Sequence, residues 1–369
     1  MKFNKEDIKK LQLLKQFGQY ENDDYKLEEV LSSLKFIQLD SINVISARSQ
    51  DLVFYSRVKD YKINDYLNLY KNNQASELYL HALSLVPNSS SIMELSHTLK
   101  YGILKENNNV DKYLKQFKSY LKSGDTLSNK KENWSLSEKD IVTNALWRAG
   151  LLKITRNENF KKNYSLETKK SNTLLMQENI LEKIADCLVL ISLQNIGLAT
   201  FSDIKNYFYL KKNEVADSIS RLLSSKQLRI AGQFENEDYY ILPEDENLID
   251  FTNNINRINC KFLSPFDNSI RERNRLNRIF DFDYKLESYT TPSKRVYGYF
   301  ALPILIDKEI IGTIDMKINS KEKILDVKQI TLKSKEQKIY LSNVVESIDN
   351  FKTFTNMEEI VNNENIKYL

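Results

Sequence analysis

The sequence predicts an α+β protein with three tandem winged-helix (helix-turn-helix) domains followed by a C-terminal β-barrel-like domain. At roughly 150 residues per domain, a chain of 369 residues is long enough for several modules. A pattern of helices followed by a two-stranded hairpin occurs twice in the middle of the chain. After Pro243 this pattern gives way to strand-like segments separated by turns.

The first helix-and-hairpin pattern lies between residues 111 and 166. Apolar residues at helical spacing predict helices over 111–122 and 137–149, the second of them ending at Gly150. Residues 151–155 and 163–166 are strand candidates on either side of a polar turn. Helix, helix, strand, turn and strand in this order are the outline of a winged helix.

The same order recurs further along the chain. Helices are predicted over 177–194, 200–207 and 212–224. They are followed by strand candidates at 228–233 and 238–242 around a polar turn. This segment is therefore interpreted as another winged helix.

The first hundred residues are interpreted as a third, distorted copy. Helices are predicted over 4–17 and 25–34, and a short strand over 36–42. The hairpin expected after them is weakly marked in the sequence.

The C-terminal part combines a helix predicted over 269–280 with several strands. The predicted strands are 286–290, 296–305, 309–318 and 324–332. The resulting domain boundaries are 1–105, 106–172, 173–245 and 246–369.

Composition excludes several classes of protein. The 54 Lys and Arg residues against 50 Asp and Glu leave a net charge of only +4, which is not that of a polycation. The two cysteines and two histidines are too widely spaced for a four-ligand zinc site, and no glycine-rich phosphate-binding loop is present. We therefore expect neither a metal nor a cofactor.

The start of the chain carries scattered charges and no apolar signal core. The most apolar helical stretch is shorter than the roughly 20 apolar residues of a membrane span. We therefore expect a cytoplasmic, nucleoid-associated protein with no membrane partner.

Basic residues are concentrated in two segments. Residues 151–170 contain six basic and two acidic residues, and residues 257–295 contain nine basic and five acidic residues. Each segment alone has the net charge of the whole chain, which favours a surface that follows a nucleic-acid backbone. The alternative is an ordinary solvated face of helix and hairpin. The candidate phosphate contacts in the first segment are Lys153, Arg156, Lys161 and Lys162.

The segment LKFIQLDSINVI (34–45) contains the main candidates for chemistry. On a strand, Gln38 and Asp40 point to the same face, so that an amide and a carboxylate share one surface. On a helix the two side chains would diverge. The alternative interpretation is an ordinary Asp at a strand end beside a solvent-facing Gln.

Four stretches of the chain resemble the AlkZ/YcaQ-type winged-helix DNA glycosylases. They are FIQLDSINV (36–44), LVFYSRVKDY (52–61), LYLHALSLVP (78–87) and the long segment from FLSPFD to GTIDMK (262–317). Enzymes of this family remove alkylated purines from DNA, and those of its YcaQ-like branch unhook interstrand crosslinks. The fold of the family, three winged helices and a β-barrel, agrees with the organisation predicted above.

The resemblance implies that Gln38 and Asp40 are catalytic, because Gln38, Leu39 and Asp40 match the family's Gln-aliphatic-Gln or Gln-aliphatic-Asp motif. The Asp form resembles the crosslink-acting, YcaQ-like branch. The resemblance implies a partner as well, double-stranded DNA containing alkylated or crosslinked purines, with no cofactor; we expect a monomer. Further candidate DNA contacts are Arg48, Arg57, His81, Arg273 and Lys294. The alternatives are ion pairs with nearby acids for the arginines and a backbone-bonded, partly buried ring for His81.

One departure from the family concerns residues 49–51. Members often carry a histidine pair where this chain has Ser49, Gln50 and Asp51. Gln50 and Asp51 are interpreted either as replacements or as ordinary surface residues. Two other functions stay open, a non-catalytic winged-helix transcription regulator and a glycosylase specialised for self-resistance to a genotoxic natural product.

Overall fold

The structure is a computed structural model that describes residues 2–18, 25–122, 138–167, 178–251, 258–362 and 365–369. It is a mixed α+β protein in which helices alternate with four separate sheets. Within these ranges no helix is both long and apolar enough to cross a membrane.

The N-terminal unit contains a small antiparallel sheet surrounded by helices. Its elements are α1 (Lys5–Leu13), a π-helical turn (Leu14–Gly18), α2 (Leu27–Leu34), β1 (Ile37–Gln38), α3 (Ser49–Tyr55), α4 (Leu67–Lys71), β2 (Ala75–Tyr79), β3 (Leu83–Pro87) and α5 (Ser91–Glu106). The strand order is β1-β3-β2. Helix α1 begins at Asn4 because the Asn4 side chain accepts the backbone N–H groups of Glu6 and Asp7.

The second unit shows the predicted order of two helices and a hairpin. It consists of α6 (Val110–Lys122), α7 (Glu138–Arg148), β4 (Leu152–Arg156) and β5 (Lys162–Leu166). Strands β4 and β5 pair antiparallel from Leu152 opposite Leu166 to Arg156 opposite Lys162. The predicted domain boundary at 172/173 lies outside the described residues.

The third unit repeats the order with an added short strand. Its elements are α8 (Ile180–Ile196), β6 (Ala199–Thr200), α9 (Phe201–Phe208), α10 (Lys212–Ser224), β7 (Arg229–Phe234) and β8 (Glu237–Ile241). The strand order is β6-β8-β7, and both neighbouring pairs are antiparallel.

The C-terminal unit is built on a six-stranded sheet. Its elements are α11 (Leu248–Phe251), β9 (Lys261–Phe262), α12 (Arg273–Phe280), β10 (Leu302–Ile306), β11 (Glu309–Asn319), β12 (Ile324–Leu332), α13 (Leu341–Phe354), β13 (Glu359–Asn362) and β14 (Ile366–Tyr368). The order is β13-β12-β11-β10-β9, with β14 also paired to β12. In the described part of the chain this sheet is open, so the predicted closed barrel is not found there.

The strand predicted over 286–290 and the first half of the strand predicted over 296–305 are wrong. Two carboxylates occupy the backbone N–H groups that a neighbouring strand would otherwise bind. Glu287 accepts bonds from Val296 and Tyr297, and Asp315 accepts bonds from Tyr299 and Phe300. The chain therefore forms an irregular loop whose polar groups are satisfied without a ladder.

The hydrophobic cores do not follow the predicted domain boundaries. Ile8 and Leu11 of α1 pack in one core with Leu276 of α12 and Leu305 of β10, at the far end of the sequence. Residues 1–105 thus contribute to more than one core, and the four units are packed together rather than joined only by linkers.

Candidate active site

Residues 36–47 lie where three hydrophobic cores meet. Phe36 is buried in the core of the third unit, and Leu39 in the core of the first unit. Ile45 and Ala47 are buried against the C-terminal sheet. Because the segment is anchored on both sides of Gln38, its backbone is held in place by packing.

Gln38 and Asp40 are both half-buried, whereas Ile37 and Leu39 are buried. This alternation places the amide and the carboxylate on the more exposed face of the segment, as the sequence predicts. The strand is shorter than predicted, since only Ile37–Gln38 is regular. The last hydrogen bond to the neighbouring strand is donated by the Leu39 N–H to the Leu83 carbonyl, at 2.8 Å.

Asp40 starts a turn immediately after the strand. Its Oδ1 accepts the N–H of Ile42 at 2.8 Å, so the carboxylate fixes the backbone that follows it. Its own N–H donates to Oε1 of Gln50 at 3.3 Å. No described residue bonds to the second carboxylate oxygen, which therefore can act on a ligand.

His81 holds the amide of Gln38. Its Nε2 lies 3.1 Å from the Gln38 Oε1, and its ring packs edge-on against Phe36. Burial, reinforced by the positive charge of Arg271, lowers the pKa of His81 to about 3. The ring is therefore neutral near pH 7. Because the Gln38 Oε1 can only accept a hydrogen bond, the Nε2 carries the proton and donates to it. The NH₂ group of Gln38 is left to donate to a ligand.

Gln50 and Asp51 are fully buried, so their interpretation as surface residues is wrong. Gln50 donates from Nε2 to the Tyr66 hydroxyl at 3.2 Å while its Oε1 accepts the Asp40 N–H. Asp51 accepts the Tyr61 hydroxyl and the Asn64 N–H, both at 2.8 Å. Burial raises the pKa of Asp51. Of these residues, Gln50 is the one that holds Asp40 from inside the fold, whereas Asp51 fixes the segment around Tyr61 and Asn64.

The structure contradicts phosphate contacts by Arg57 and Arg156. Arg57 binds both oxygens of Asp267, at 2.7 and 2.9 Å, and both side chains are inaccessible to solvent. Arg156 binds both oxygens of Glu77 and covers the Phe160 ring at 3.8 Å. Each guanidinium compensates a buried carboxylate and connects two units of the fold.

Arg48 also faces the protein rather than open solvent. Its Nη1 donates to the Glu158 carbonyl at 3.3 Å, and its guanidinium lies 5.1 Å from the centre of the Phe160 ring. It joins the start of α3 to the turn of the β4–β5 hairpin. Only 9% of Arg48 is exposed, which leaves little surface for DNA.

The predicted lysines differ in how freely they reach solvent. Lys161 and Lys294 are exposed, and Lys153 and Lys162 are half-exposed. The Nζ of Lys153 donates to Asn73 at 2.8 Å, and that of Lys162 lies 5.6 Å above the Trp147 ring. These four stay candidates for DNA contact.

Arg273 is held by backbone carbonyls and an aromatic ring. It donates to Ile270 and Pro265, both at 2.5 Å, and lies 4.5 Å from the Tyr284 ring. Burial lowers the pKa of the Arg273 guanidinium. Its role is to connect the 265–270 loop to α12, which argues against the predicted phosphate contact.

Sequence reasoning missed two residues next to His81. Arg271 lies 4.6 Å from the Tyr207 ring and close enough to lower the pKa of His81. The ring of Tyr209 lies 6.5 Å from that of His81 and projects into solvent. Arg271 stands within the segment that carries the family resemblance, but Tyr209 has no marker in the sequence.

Comparison with known proteins decides the family. A model for "DNA glycosylase AlkZ-like" proteins matches residues 114–350, more than half of the chain. The chain belongs to the AlkZ-like DNA glycosylase family. The resemblance noted in the sequence is thereby confirmed. Because the family consists of DNA glycosylases, the substrate class of the protein is DNA.

A solved AlkZ-like structure supports the same fold over the full length. The Streptomyces sahachiroi DNA glycosylase AlkZ is similar over 100% of both chains, with a TM-score of 0.59 and 14% sequence identity. The family model does not extend to residues 36–44, so the catalytic role of Gln38 and Asp40 stays a prediction. In the described ranges no cluster of three or more His, Cys, Asp or Glu side chains could hold a metal ion.

Proposed function

We propose that the protein is a monofunctional DNA glycosylase that hydrolyses the N-glycosidic bond of cationic alkylated purines in duplex DNA. N7-alkylguanine is the proposed substrate class, and interstrand crosslinks formed through N7 belong to it. The observation that carries the proposal is that the carboxylate of Asp40 and the amide of Gln38 share the half-buried face of one segment, with Asp40 held by the buried Gln50 and Gln38 held by His81.

The cationic base explains how two residues suffice. A purine alkylated at N7 already bears a positive charge, so it leaves with the bonding electron pair as a neutral base and needs no general acid. The sugar then develops positive charge, which the carboxylate of Asp40 stabilises. Gln38 positions a water whose oxygen bonds to C1′, and Asp40 accepts the proton that this water loses.

The surroundings of the two residues fit this chemistry. Asp40 has one oxygen bonded to Ile42 and the other without a described partner. The amide of Gln38 has its oxygen bonded to neutral His81, so its NH₂ group is the one that meets the water. We propose that the monomer is the active form.

We further propose that the helix-and-hairpin units are winged helices that hold the duplex. The exposed Lys161 at the end of the β4–β5 hairpin and the exposed Lys294 are the proposed phosphate contacts. Both belong to the basic segments identified in the sequence. The buried Arg57 and Arg156, and Arg273, which is held by backbone carbonyls, are left out of this surface.

Base release is the experiment that tests the function. The protein is incubated with a duplex containing N7-methylguanine, whose released base is measured by chromatography against a protein-free control, and with an N7-linked interstrand crosslink, whose unhooking is measured as separation of the two strands on a denaturing gel. Strands are then resolved before and after mild alkali. Free base with strand breaks only after alkali is expected, whereas breaks before alkali would contradict the monofunctional assignment. A sequence-specific footprint without base release would instead favour the non-catalytic regulator.

A further inference from the structure

Tyr209 is an exposed aromatic residue at the end of helix α9. It is 74% exposed, and it adopts a left-handed backbone conformation with φ 56° and ψ 40°. Its N–H donates to the Lys205 carbonyl and so closes the helix. Glycine and asparagine are the residues that usually occupy this position, because a bulky side chain is strained there.

The packing of Tyr209 does not account for its presence at this position. Among the described residues, two aromatics have a positive φ, Phe160 and Tyr209. Phe160 lies beneath the guanidinium groups of Arg48 and Arg156, so its ring has partners on the protein. Tyr209 combines a strained backbone with a ring left mostly in water, and such combinations concentrate at functional sites.

The ring of Tyr209 stands beside the candidate active site. Its centre is 6.5 Å from that of His81, whose Nε2 bonds to Gln38. His81 in turn packs against the buried Phe208 at 5.7 Å, so the exposed ring of Tyr209 is connected through His81 to the amide of Gln38.

A positive charge lies within this aromatic cluster. The guanidinium of Arg271 lies 5.6 Å from the Phe208 ring and donates to the Tyr207 carbonyl. It is half-buried and lies against the ring and carbonyl of Tyr207, so it supports these aromatic residues from inside the fold. A stacked base would cover the exposed ring of Tyr209.

We propose that Tyr209 stacks on a nucleobase of duplex DNA opened at the Gln38–Asp40 site. The inference rests on the proposed function for the opening of the duplex at this site. It assigns Tyr209 a binding role and no part in the bond-breaking step. Every base has a π face, so this contact holds the opened strand without reading its sequence.

Two substitutions distinguish the contribution of the Tyr209 ring to binding from its contribution to the stability of the helix end. Tyr209→Gly removes the ring and also relieves the left-handed strain, so loss of binding in this variant cannot be ascribed to a weakened helix end. Tyr209→Phe keeps the ring. Ile339→Ala is the matched control, because Ile339 is also 74% exposed but lies in the turn Lys335–Tyr340 of the C-terminal unit.

The probe is a duplex that contains a tetrahydrofuran abasic analogue flanked by 2-aminopurine. Wild type, Tyr209→Phe and Ile339→Ala are expected to bind it alike and to quench the 2-aminopurine fluorescence. Tyr209→Gly is expected to bind roughly tenfold to a hundredfold more weakly, with no quenching when saturated. Equal binding and quenching by Tyr209→Gly, or no quenching by wild type, would overturn the inference. Because this probe contains no cleavable base, absence of base release from N7-methylguanine DNA would overturn the proposed function separately.

Discussion

At the scale of single residues, the candidate site consists of two half-buried polar groups, each held by a neighbouring side chain. Asp40 is fixed through its N–H by Gln50, which is inaccessible to solvent and is itself held by Tyr66. Gln38 is fixed through its oxygen by His81. Rigid support of this kind matters because electrostatic stabilisation of a transition state depends on groups that need not reorganise.

The ionisation of His81 is a testable property of this arrangement. The chain has two histidines, so its imidazole NMR spectrum contains two sets of ring signals, which a His81→Gln variant assigns. Burial lowers the pKa of His81 to about 3 and that of His97 to about 4. Neither set of signals is expected to shift between about pH 8 and about pH 5.5.

The same pKa predicts the direction of the pH dependence of stability. The unfolded chain binds a proton at His81 near pH 6.5, whereas the folded chain does not bind it until about pH 3. The contribution of His81 is therefore fully present above pH 6.5 and decreases as the pH falls below that value. Titration of the assigned His81 signals with a midpoint near 6.5 would show that the ring is not buried against Gln38.

At the scale of elements, buried ion pairs connect segments that are distant in sequence. Arg57, which follows helix α3, pairs with Asp267 in the loop before α12, and Arg156 in β4 pairs with Glu77 in β2. A third cluster joins Arg275 and Arg278 of α12 to Asp203 of α9. These arginines belong to the architecture, although their segments resemble DNA-binding stretches.

Replacing Arg57 by Ala is expected to destabilise the protein without changing its contacts with DNA. Loss of one partner leaves the buried Asp267 uncompensated, which costs about 3–5 kcal/mol of unfolding free energy. Lys294→Ala, at an exposed position, is the control and is expected to change stability by about 0.5 kcal/mol or less. Denaturant unfolding measures both. If Arg57→Ala had normal stability but bound DNA more weakly and with less salt dependence, this result would show that Arg57 contacts DNA.

The sequence predicts those elements whose pattern is local. Helix α10 (Lys212–Ser224) and strand β12 (Ile324–Leu332) have the predicted bounds, because the apolar period and flanking polar residues define them. The strand predicted over 36–42 is shorter in the structure, since β3 begins at Leu83 and offers no partner beyond Leu39. The segment 296–300 has strand-like composition, but its backbone N–H groups donate to the carboxylates of Glu287 and Asp315 instead of to a neighbouring strand.

The candidate site is predictable only in part for the same reason. The spacing of Gln38 and Asp40 is a local signal, and it correctly places both on one half-buried face. The bond from His81 to Gln38 spans 43 positions, and the pairing of Arg57 with Asp267 spans 210. Nothing in a local pattern distinguishes an arginine that faces a distant carboxylate from one that faces solvent.

At the scale of the whole molecule, the net charge is only +4, although basic residues are concentrated in two segments of the sequence. With Arg57, Arg156 and Arg273 held inside the fold, the proposed DNA surface relies on exposed lysines such as Lys161 and Lys294. Lysine contacts with phosphate release counterions, so binding to DNA should weaken steeply as salt increases.

Salt dependence measures how many such contacts exist. Lys161→Ala is expected to reduce the slope of log affinity against log salt concentration by about one, uniformly across DNA sequences. Lys105→Ala is the matched control, because Lys105 is exposed on α5 outside both basic segments. Fluorescence anisotropy at several salt concentrations gives the slopes. A slope unchanged by Lys161→Ala would remove the β4–β5 hairpin from the DNA interface.

The central claim is that the carboxylate of Asp40 stabilises positive charge on the sugar as a cationic base departs. Asp40→Asn tests it, because the amide oxygen can still accept the Ile42 N–H and preserve the turn. An electrostatic contribution of about 3–4 kcal/mol corresponds to roughly several hundredfold in rate.

Single-turnover release of N7-methylguanine by wild type and by Asp40→Asn, with duplex affinity measured in parallel, is the most direct measurement. We expect the rate constant to fall at least about tenfold while affinity stays within a few fold. A rate constant for Asp40→Asn close to that of wild type would contradict the assignment of Asp40 as the catalytic carboxylate.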